Sequence, residues 1–372
     1  MSDIHLHIVS FDVPLPADYG GVIDVYYKAL ELTRHDVKIH LHCFEYGRGR
    51  VEALERTFYK VHYYKRDVSK THLFKSLPYI VSTRTSDDLV NTLLLDDYPI
   101  LMEGLHTTFL LKDKRLKNRK MLVRAHNIEH DYYLNLSRAE TVPFKKYFFY
   151  NESIKLARYE KILTKADHIL AISSNDYNYF TGKFHNVELI PAFHPYHRVE
   201  SIPGKGNYIL YHGKLSVPEN ANAVRFLLTH VFNNLDVSFV IAGSNPPSSL
   251  VNLVYQSPNA KLIVSPDDEE LSELIRNAHI NVAVTFQSTG LKLKLLNSLY
   301  NGRFCLVNSY MLSGSRLDSL CVVQDDPEEM KHLIVKLLDE EFTQEMIVER
   351  EKVLSNFYNN GDYAKQLILM IS

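Results

Sequence analysis

Two lysines stand where a leucine-rich helix is expected to begin. Lys292 and Lys294 lie in the stretch STGLKLKLLNSLYNG, Ser288 to Gly302. The first turn of an α-helix is already positive, because its amide N–H groups lack partners and the helix dipole points that way. Cations at this end are either solvated or held by an anionic ligand such as a phosphate. Ser288, Thr289 and Gly290, just before them, would add backbone N–H groups to a phosphate site.

The apolar pattern favours the anionic ligand for one of the two lysines. At about 100° per residue, leucines starting at Leu291 cover more than half of the helix circumference. Lys292 falls within this apolar arc, where an unpaired ammonium group is costly to bury. Lys294 and Asn297 fall on a narrow polar stripe, and a solvated surface position suits Lys294. The pattern therefore predicts a phosphate site at the helix start.

Further candidates follow short apolar runs that are typical of buried strands. His106 lies in the segment EGLHTT, and His126, Asn127 and Glu129 lie in RAHNIEHDYY. A histidine at the carboxyl end of a parallel strand can donate a hydrogen bond or accept a proton near neutral pH. The chain has 18 histidines, so an ordinary core or surface role is the alternative for both of these.

Glycines and a third lysine mark two more loops. Gly20 and Gly21 follow the first expected strand, in FDVPLPADYGG, and would let the backbone approach a ligand. Gly213 permits a tight exit from a later strand, and Lys214 beside it could reach a ligand. Simple turns and a solvated loop cation are the alternative interpretations. The dinucleotide pattern G-x-G-x-x-G is absent from every expected strand-to-helix junction.

Strands and helices that would position these residues alternate along the chain. Short apolar runs separated by segments with helical spacing predict an α/β protein with two doubly wound parallel sheets. In the first half we expect strands at His5–Ser10, Val37–Phe44, Pro99–Met102, Met121–Ala125 and His168–Ile172. In the second half we expect them at Tyr208–His212, Ser238–Ala242, Lys261–Val264, Ile280–Val284, Phe304–Val307 and Cys321–Val323.

Composition suggests the domain boundaries. The segment HPYHRVESIPGKGN, His194 to Asn207, is rich in proline and glycine and poor in apolar residues, which is typical of a linker. We therefore expect an N-terminal domain at 1–195 and a C-terminal domain at 206–345. The remaining segment, 346–372, is expected to be a helix that packs back on the N-terminal domain.

Bulk charge and cysteine usage restrict the partners. The 372 residues include 42 basic and 44 acidic side chains, so no overall field favours nucleic acid. The three cysteines, Cys43, Cys305 and Cys321, form no metal-binding pattern and are expected to be reduced. No segment has the charge and apolar length of a signal peptide or a membrane span, which predicts a cytoplasmic protein.

Two segments combine basic and aromatic residues. KDKRLKNRK, Lys112 to Lys120, reads as a basic loop, and PFKKYFFYNESIKLARYEK, Pro143 to Lys161, has helical spacing. Both could make peripheral contact with the anionic inner face of a membrane, since a juxtamembrane basic cluster gains about 1 kcal/mol per residue. A solvated face and a core helix are the alternatives.

In order along the chain, several motifs resemble those of GT-B fold glycosyltransferases, especially the retaining family-4 (glycosyl transferases group 1) type. They are the Gly-Gly loop, the H-N-x-E segment, ADHILAIS, LYHGKL, VIAGSNP and STGLKLKLLNSLYNGRFCLV. The resemblance spans nearly the whole chain. It implies two Rossmann-like domains that face a cleft, with a nucleotide-sugar donor on the C-terminal domain and an acceptor mainly on the N-terminal domain.

The resemblance also assigns roles to particular residues. Gly20 and Gly21 match the family's Gly-Gly loop beside the donor phosphates and sugar, and His126 best matches its sugar-binding histidine. Lys214 matches the arginine of its G-R-L segment, which faces the pyrophosphate. The donor-binding set is completed by Gly213, Val264, Ser265, Ser288, Thr289, Gly290, Leu291, Lys294 and Asn297, with the base expected near Val264 and Ser265. The acceptor-binding candidates are His106, Asn127 and Glu129.

Two departures from the family pattern bear on activity. The family's two glutamates, eight positions apart in the donor loop, correspond to Thr289 and Asn297. Its lysine downstream of G-R-L corresponds to Glu219, which would repel a phosphate. Lys292 or Lys294 would compensate if either contacts the same anion.

The resemblance implies transfer of a sugar from a nucleoside diphosphate to a hydroxyl group of a glycan or lipid-linked acceptor, with retention, in cell-surface polysaccharide synthesis. Lys214, Lys292 and Lys294 would stabilise the departing diphosphate without a metal or other cofactor. The alternatives are a non-catalytic sugar-nucleotide-binding subunit, favoured by loss of both glutamates, and a nucleotide-sugar 2-epimerase, which the same loss argues against.

Overall fold

The computed structural model describes residues 3–140, 142–286 and 293–372. These residues form two compact units. The N-terminal unit contains the described residues up to 195 together with 358–372, and the C-terminal unit contains those between 196 and 357.

A parallel sheet organises the N-terminal unit. Its strands are β1 (His5–Ser10), β2 (Lys38–Glu45), β3 (Lys60–Lys65), β4 (Ile100–Glu103), β5 (Met121–Ala125), β6 (His168–Ala171) and β7 (Val187–Leu189). Their order across the sheet is β3-β2-β1-β4-β5-β6-β7, so β1, β4 and β5 are neighbours near its centre. These interior strands are buried on both faces, and buried polar residues, among them His7, Glu103 and Arg124, interrupt their apolar runs.

The helices of this unit cover both faces of the sheet. They are α1 (Gly20–Arg34), α2 (Glu52–Thr57), α3 (Tyr79–Ser82), α4 (Asp87–Leu93), α5 (Glu129–Ala139), α6 (Pro143–Tyr159) and α7 (Ser174–Thr181), with 3₁₀ turns at Lys70–Phe74, Leu105–Lys112, Lys114–Leu116 and Glu160–Lys165. Separate apolar clusters on the two sides of the sheet form its core.

A second parallel sheet organises the C-terminal unit. Its strands are β8 (Ile209–His212), β9 (Phe239–Gly243), β10 (Ala260–Val264), β11 (Ile280–Ala283), β12 (Phe304–Val307) and β13 (Val322–Val323), in the order β10-β9-β8-β11-β12-β13. Its helices are α8 (Pro218–Phe226), α9 (Ser248–Tyr255), α10 (Asp268–Asn277), α11 (Leu293–Asn301), α12 (Ser309–Leu312), α13 (Pro327–Asp339) and α14 (Gln344–Phe357), with a π turn at Leu227–Val231 and a 3₁₀ turn at Asp318–Leu320.

The predicted α/β fold class with two doubly wound sheets is confirmed, and all the predicted strands are present with small shifts at their ends. Two strands, β3 and β7, were not predicted. β3, KVHYYK, lies at one edge of the sheet, and Tyr64 is its one buried residue. β7 is only three residues long. Neither carries the apolar run that marks an interior strand.

From residue 196 onward, the segment interpreted as a linker belongs to the C-terminal unit and is hydrogen-bonded to it. The Glu200 amide donates to the Tyr300 carbonyl at 2.6 Å, and Ser201 Oγ donates to the Gly302 carbonyl at 2.6 Å. Its prolines and glycines reflect an irregular path, and its polar groups are satisfied by the domain it precedes.

The chain end, expected to be one helix at 346–372, contains two helices in different units. In α14, the Arg350 guanidinium is 3% exposed and donates to carbonyl groups of the C-terminal unit, including that of Arg303. Asn359 then caps a new helix, α15 (Asn360–Ile371), by accepting from the amides of Gly361 and Asp362. The helix α15 belongs to the N-terminal unit, where it contacts α1.

Candidate active site

His126 follows β5 directly, at the carboxyl edge of the N-terminal sheet. Its Nε2 lies 2.9 Å from Oε2 of Glu103, the last residue of the neighbouring strand β4. A carboxylate only accepts hydrogen bonds, so Nε2–H must donate, and the Nδ1 atom of a neutral His126 ring is then an acceptor. Glu103 therefore fixes both the orientation and the tautomer of the imidazole.

A fully buried network of charges lies beneath this pair. Asp24 and Lys28 of α1, Glu103 of β4 and Arg124 of β5 are each 0% exposed. Lys28 Nζ donates to Asp24 Oδ2 and Glu103 Oε2, both at 3.0 Å. Lys28 Nζ also lies 2.8 Å from Glu103 Oε1, but this contact does not have the geometry of a hydrogen bond. Arg124 forms a bidentate pair with Asp24, at 2.8 and 2.9 Å.

The network balances two carboxylates against two permanent cations. Burial alone would raise the pKa of Asp24, but the charges of Arg124 and Lys28 outweigh it and hold that pKa below its usual range. Burial likewise opposes ionisation of Glu103, and Lys28 together with the His126 hydrogen bond lowers its pKa. Both carboxylates are thus ionised, and Glu103 presents a negative charge to His126.

Two groups of potential metal ligands occur among residues 3–140, 142–286 and 293–372. They are Asp24, Glu103 and His126, and His7, His40 and Asp96. In the first group, both carboxylates are already paired with Lys28 or Arg124. In the second, Arg119 Nη2 lies 3.2 Å from Asp96 Oδ1. A divalent ion would have to compete with these cations, so metal-independence stays a prediction.

The ring of Phe11 contacts both His106 and His126. The Phe11 ring centroid is 5.0 Å from that of His106 and 5.3 Å from that of His126, with the second contact edge-to-face. Gly21 makes room for this ring, since a Cβ there would lie 2.7 Å from Phe11 Cζ. Burial, with the charge of Arg84, holds the pKa of His106 well below its usual range. Its Nδ1 atom is buried without a hydrogen-bond partner among the described residues.

Glu129 begins α5, just after His126, and is 3% exposed. Burial and the negative charge of Asp176 together raise the pKa of Glu129 to about 7, although a hydrogen bond from Asn127 acts in the opposite direction. Glu129 can therefore exchange a proton near neutral pH.

Gly20, the first residue of α1, is exposed, and no side chain caps that helix start.

The loops that follow β8, β9 and β10 pack closely in the C-terminal unit. The Gly213 amide donates to the Ala242 carbonyl, and the Ser265 amide donates to the Gly243 carbonyl, both at 3.0 Å. A Cβ on Gly243 would lie 1.9 Å from the Gly213 carbonyl oxygen, whereas one on Gly213 would lie 3.3 Å from the Asn220 side chain. The close approach of the loops after β8 and β9 therefore requires a glycine at position 243.

The predicted donor residues of these loops are accessible. Lys214 is exposed, and Val264 is 55% exposed. Ser265, which follows Val264, has a φ of 53°, in the left-handed region that few non-glycine residues adopt.

Lys294, in the first turn described for α11, is held by neighbouring residues of the same unit. Its Nζ donates to Asn220 Oδ1 at 2.6 Å and to Tyr211 Oη at 3.0 Å, and it lies 4.8 Å from the Tyr211 ring centroid. The interpretation as a solvated lysine is therefore wrong, because β8 and α8 supply partners. Asn297 Oδ1 accepts a hydrogen bond from Asn301 at 2.8 Å.

Five of the predicted residues lie outside the described part of the chain: Ser288, Thr289, Gly290, Leu291 and Lys292. The predicted phosphate site at this helix start therefore stays a prediction. Among the described residues, every helix is too short or too polar to cross a bilayer.

The chain is similar in sequence to one bacterial protein and in fold to several solved structures. No protein-family model matches the chain. A protein of Klebsiella pneumoniae, described as an uncharacterized 44.6 kDa protein in the cps region, is 26% identical over 348 residues, which cover 88% of this chain and 89% of that protein.

Three solved structures match nearly the full chain. The sucrose-phosphate synthase of Thermosynechococcus elongatus has a TM-score of 0.70 at 12% identity and covers 99% of this chain and 98% of its own. TarM has a TM-score of 0.70 at 10% identity, with 100% and 99% covered. HepE of Anabaena, in complex with UDP-glucose, has a TM-score of 0.66 at 9% identity, with 98% of both chains covered. With its two parallel α/β sheets and this likeness along its length, the chain has the GT-B fold of glycosyltransferases.

Proposed function

We propose that the protein is a glycosyltransferase that moves a sugar from a nucleoside diphosphate donor to a hydroxyl group of a glycan or lipid-linked acceptor. The observation that carries this proposal is the His126–Glu103 pair, held by a buried ionic network at the carboxyl edge of the N-terminal sheet. Ligands of open α/β sheets bind at this edge. HepE of Anabaena in complex with UDP-glucose and S. aureus TarM in complex with UDP have the same fold.

The proposed reaction breaks the bond between the anomeric carbon and the β-phosphate oxygen and forms a bond from that carbon to the acceptor oxygen. Negative charge develops on the diphosphate, so cations and backbone N–H groups aimed at it lower the barrier. Lys214 and Lys292 are the proposed cations. Lys294 is proposed as a third, and its contacts with Asn220 and Tyr211 would hold its ammonium group at the start of α11.

His126 is proposed to contact the transferred sugar. With its Nε2 committed to Glu103, its Nδ1 atom accepts a hydrogen bond from a sugar hydroxyl. In a retaining reaction the departing phosphate takes the acceptor proton, and no protein base is needed. Asn127 and Glu129, which follow His126 in the same loop, are proposed to bind the acceptor.

The His126–Glu103 pair also favours a second stereochemical course. An imidazole oriented by a carboxylate is well suited to accept a proton from an acceptor hydroxyl, which would support direct displacement with inversion. Retention is the course we propose, following the family resemblance. NMR of the product decides, because retention requires the anomeric configuration of the donor and inversion requires the opposite one.

A place in surface polysaccharide synthesis is proposed from the relative in the cps region of Klebsiella pneumoniae. The experiment for the whole proposal is incubation of the purified chain with nucleotide-sugars, followed by detection of released nucleoside diphosphate. Release from one donor, accelerated by a glycan or lipid-linked acceptor, supports it. Tight binding of a donor with no release supports instead the non-catalytic subunit that the Thr289 and Asn297 replacements suggest.

Peripheral membrane contact is proposed through the first half of α6. Phe144 is 73% exposed and Tyr147 is 68% exposed, and Lys145 and Lys146 lie exposed between them. Aromatic rings with adjacent lysines suit an anionic bilayer surface. The basic loop at 112–120 contributes less, because the Arg119 side chain is 8% exposed and donates to backbone carbonyls.

The membrane proposal can be tested by flotation with phosphatidylserine-containing vesicles. The wild type should float with them, and the double variant Phe144→Ser, Tyr147→Ser should not. Tyr255→Ser, at an 85% exposed tyrosine of the C-terminal unit, is the control and should float as the wild type does. Equal flotation of all three proteins would contradict the use of α6.

A further inference from the structure

Arg84 lies beside His106 and has no role in the mechanism described so far. It follows the short helix α3 and is 5% exposed. Its Nε donates to the Phe11 carbonyl at 2.8 Å, and its Nη1 donates to the Ile80 carbonyl at 2.7 Å. Two main-chain oxygens thus fix the guanidinium group, and one of them belongs to Phe11, whose ring contacts both His106 and His126.

A second arginine is held next to it. Arg66 follows β3, and its Nε donates to Thr83 Oγ1 at 3.0 Å, one residue before Arg84. Its guanidinium carbon lies 4.3 Å from the Tyr46 ring centroid and 5.6 Å from that of Tyr79. Cation–π stacking of this kind holds the plane of the guanidinium group without neutralising its charge.

Within the described residues, no carboxylate forms an ion pair with either arginine. This contrasts with Arg124, which is fully buried and has the bidentate carboxylate of Asp24. Asp12, the nearby acid of the β1 loop, already accepts from Tyr19 and lies 3.7 Å from Arg48. Burial and the positive charge of Arg66 lower the pKa of Arg84 to about 9. Buried cations in proteins are normally paired, so Arg84 lacks an expected counter-ion.

Several donors are left for a ligand at this place. Arg84 Nη2 and both Nη atoms of Arg66 make no hydrogen bond with any described residue. Nδ1 of His106 is likewise buried and has no partner there. These groups converge from three loops at the carboxyl edge of one sheet, where an acceptor is proposed to bind.

We propose that Arg66, Arg84 and His106 form a subsite for an oxyanion group, a carboxylate or a phosphate, carried by the acceptor. This inference rests on the proposed function. The two free Nη atoms of Arg66 match two oxygens of either anion in a bidentate fashion, and Nη2 of Arg84 can donate to one oxygen more. His106 with Nδ1 protonated would donate a further hydrogen bond. Because Phe11 separates the two histidines, the subsite lies one aromatic ring away from the group proposed to contact the transferred sugar. A neutral acceptor would leave both arginines without a counter-charge.

The test compares three probes by calorimetry with the full chain: glucose, glucose 6-phosphate and glucuronate. At least one of the two anionic sugars should bind about tenfold or more tightly than glucose, and the stronger of them identifies the anion as phosphate or carboxylate. Arg66→Gln should abolish the preference. Arg66 is half-buried, so this variant is expected to fold; Arg84→Gln is the second variant, checked by circular dichroism first. Arg56→Gln, at an exposed arginine of α2, is the matched control and should retain the preference.

Equal binding of all three sugars by the wild type would overturn the subsite, and so would an anionic preference that survives Arg66→Gln. A parallel titration with nucleoside diphosphates separates the two proposals. Loss of the anionic preference in Arg66→Gln with unchanged nucleoside diphosphate binding supports the subsite. If no nucleotide binds while the anionic preference is present, the proposed function fails and the oxyanion site still stands.

Discussion

The Nε2 atom of His126 lies 2.9 Å from Oε2 of Glu103, across the two central strands β5 and β4. This contact connects an imidazole at the sheet edge to an ionic network in which Asp24, Lys28 and Arg124 are fully buried. Because the network holds Glu103 ionised, Nε2 of the ring donates to it and Nδ1 is left as the acceptor. The proposed role of His126 depends on this orientation.

Replacement of His126 should affect turnover and spare nucleotide binding. His126→Gln removes the oriented ring, and we expect a loss of about 10²-fold or more in the rate of donor cleavage. Affinity for the nucleoside diphosphate should stay within about twofold, since Lys214 and Lys294, two of the cations proposed to bind it, are in the C-terminal unit. Steady-state rates and calorimetry on the same sample provide both numbers. His185→Gln, at an exposed histidine of the N-terminal unit, should match the wild type. An equal fall in affinity and rate would show that His126 acts on binding.

Loss of Lys28 should destabilise the N-terminal unit. Lys28→Met leaves Glu103 without its cation in a region with 0% exposure, and removal of one partner of a buried pair costs about 3–5 kcal/mol. Urea unfolding should show a reduced midpoint. Lys336→Met, where the side chain is 71% exposed, should change the midpoint little. Similar midpoints for the two variants would mean that the network contributes nothing to stability.

The close approach of the loops after β8 and β9 predicts opposite effects on stability when Gly243 and Gly213 are replaced by alanine. A Cβ at Gly243 would overlap the Gly213 carbonyl oxygen at 1.9 Å, so Gly243→Ala must separate two strand-end loops. We expect a loss of several kcal/mol of stability, as for other cases of severe overpacking, together with weaker nucleotide binding. Gly213→Ala meets only the Asn220 side chain at 3.3 Å and should be tolerated. Thermal unfolding of the two variants measures the difference, and the reverse order of stability would refute this geometry.

The raised pKa of Glu129 predicts a specific pH dependence. Its folded-state pKa of about 7 exceeds the usual value of 4.5, so the folded protein retains a proton that the unfolded chain releases. The stabilisation is present below about pH 4.5 and is lost as pH rises through about 7. Glu129→Gln stays neutral, so its stability relative to the wild type should increase between pH 5 and 8.5, by an amount on the order of 3 kcal/mol.

Urea unfolding at both pH values measures the Glu129 effect. Glu52→Gln, at a 73% exposed side chain of α2, is the control and should show no such trend. A difference between Glu129→Gln and wild type that does not change with pH would mean that Glu129 is ionised in the folded state throughout.

The fold was predictable because the interior strands are buried on both faces. β1, β5 and β12 appear in the sequence as short segments rich in apolar residues, and their bounds match the prediction. β3 was missed because an edge strand buries one face only in part. The start of α15 was missed because Asn359 caps a helix within a segment whose apolar spacing looks continuous.

The site was only partly predictable. His126 could be singled out because it follows an apolar strand, but its partner Glu103 ends a different strand and shows no signal in the sequence. Asp24 and Lys28 are four residues apart in a helix, a spacing that usually marks a surface ion pair. Only the packing of α1 over β4 and β5 reveals that the pair is buried. Lys294 likewise needed Tyr211 of β8 to identify its partners.

Nucleotide binding is tested most directly by a calorimetric titration, in EDTA, of the full chain and Lys292→Ala with UDP, GDP, ADP and CMP and their sugars. We expect the wild type to bind one nucleoside diphosphate and its sugar selectively without metal. Lys292→Ala should lose most of the diphosphate affinity but little of the affinity for the free nucleoside. Absence of binding by every nucleotide would contradict the assignment as a nucleotide-sugar-dependent glycosyltransferase.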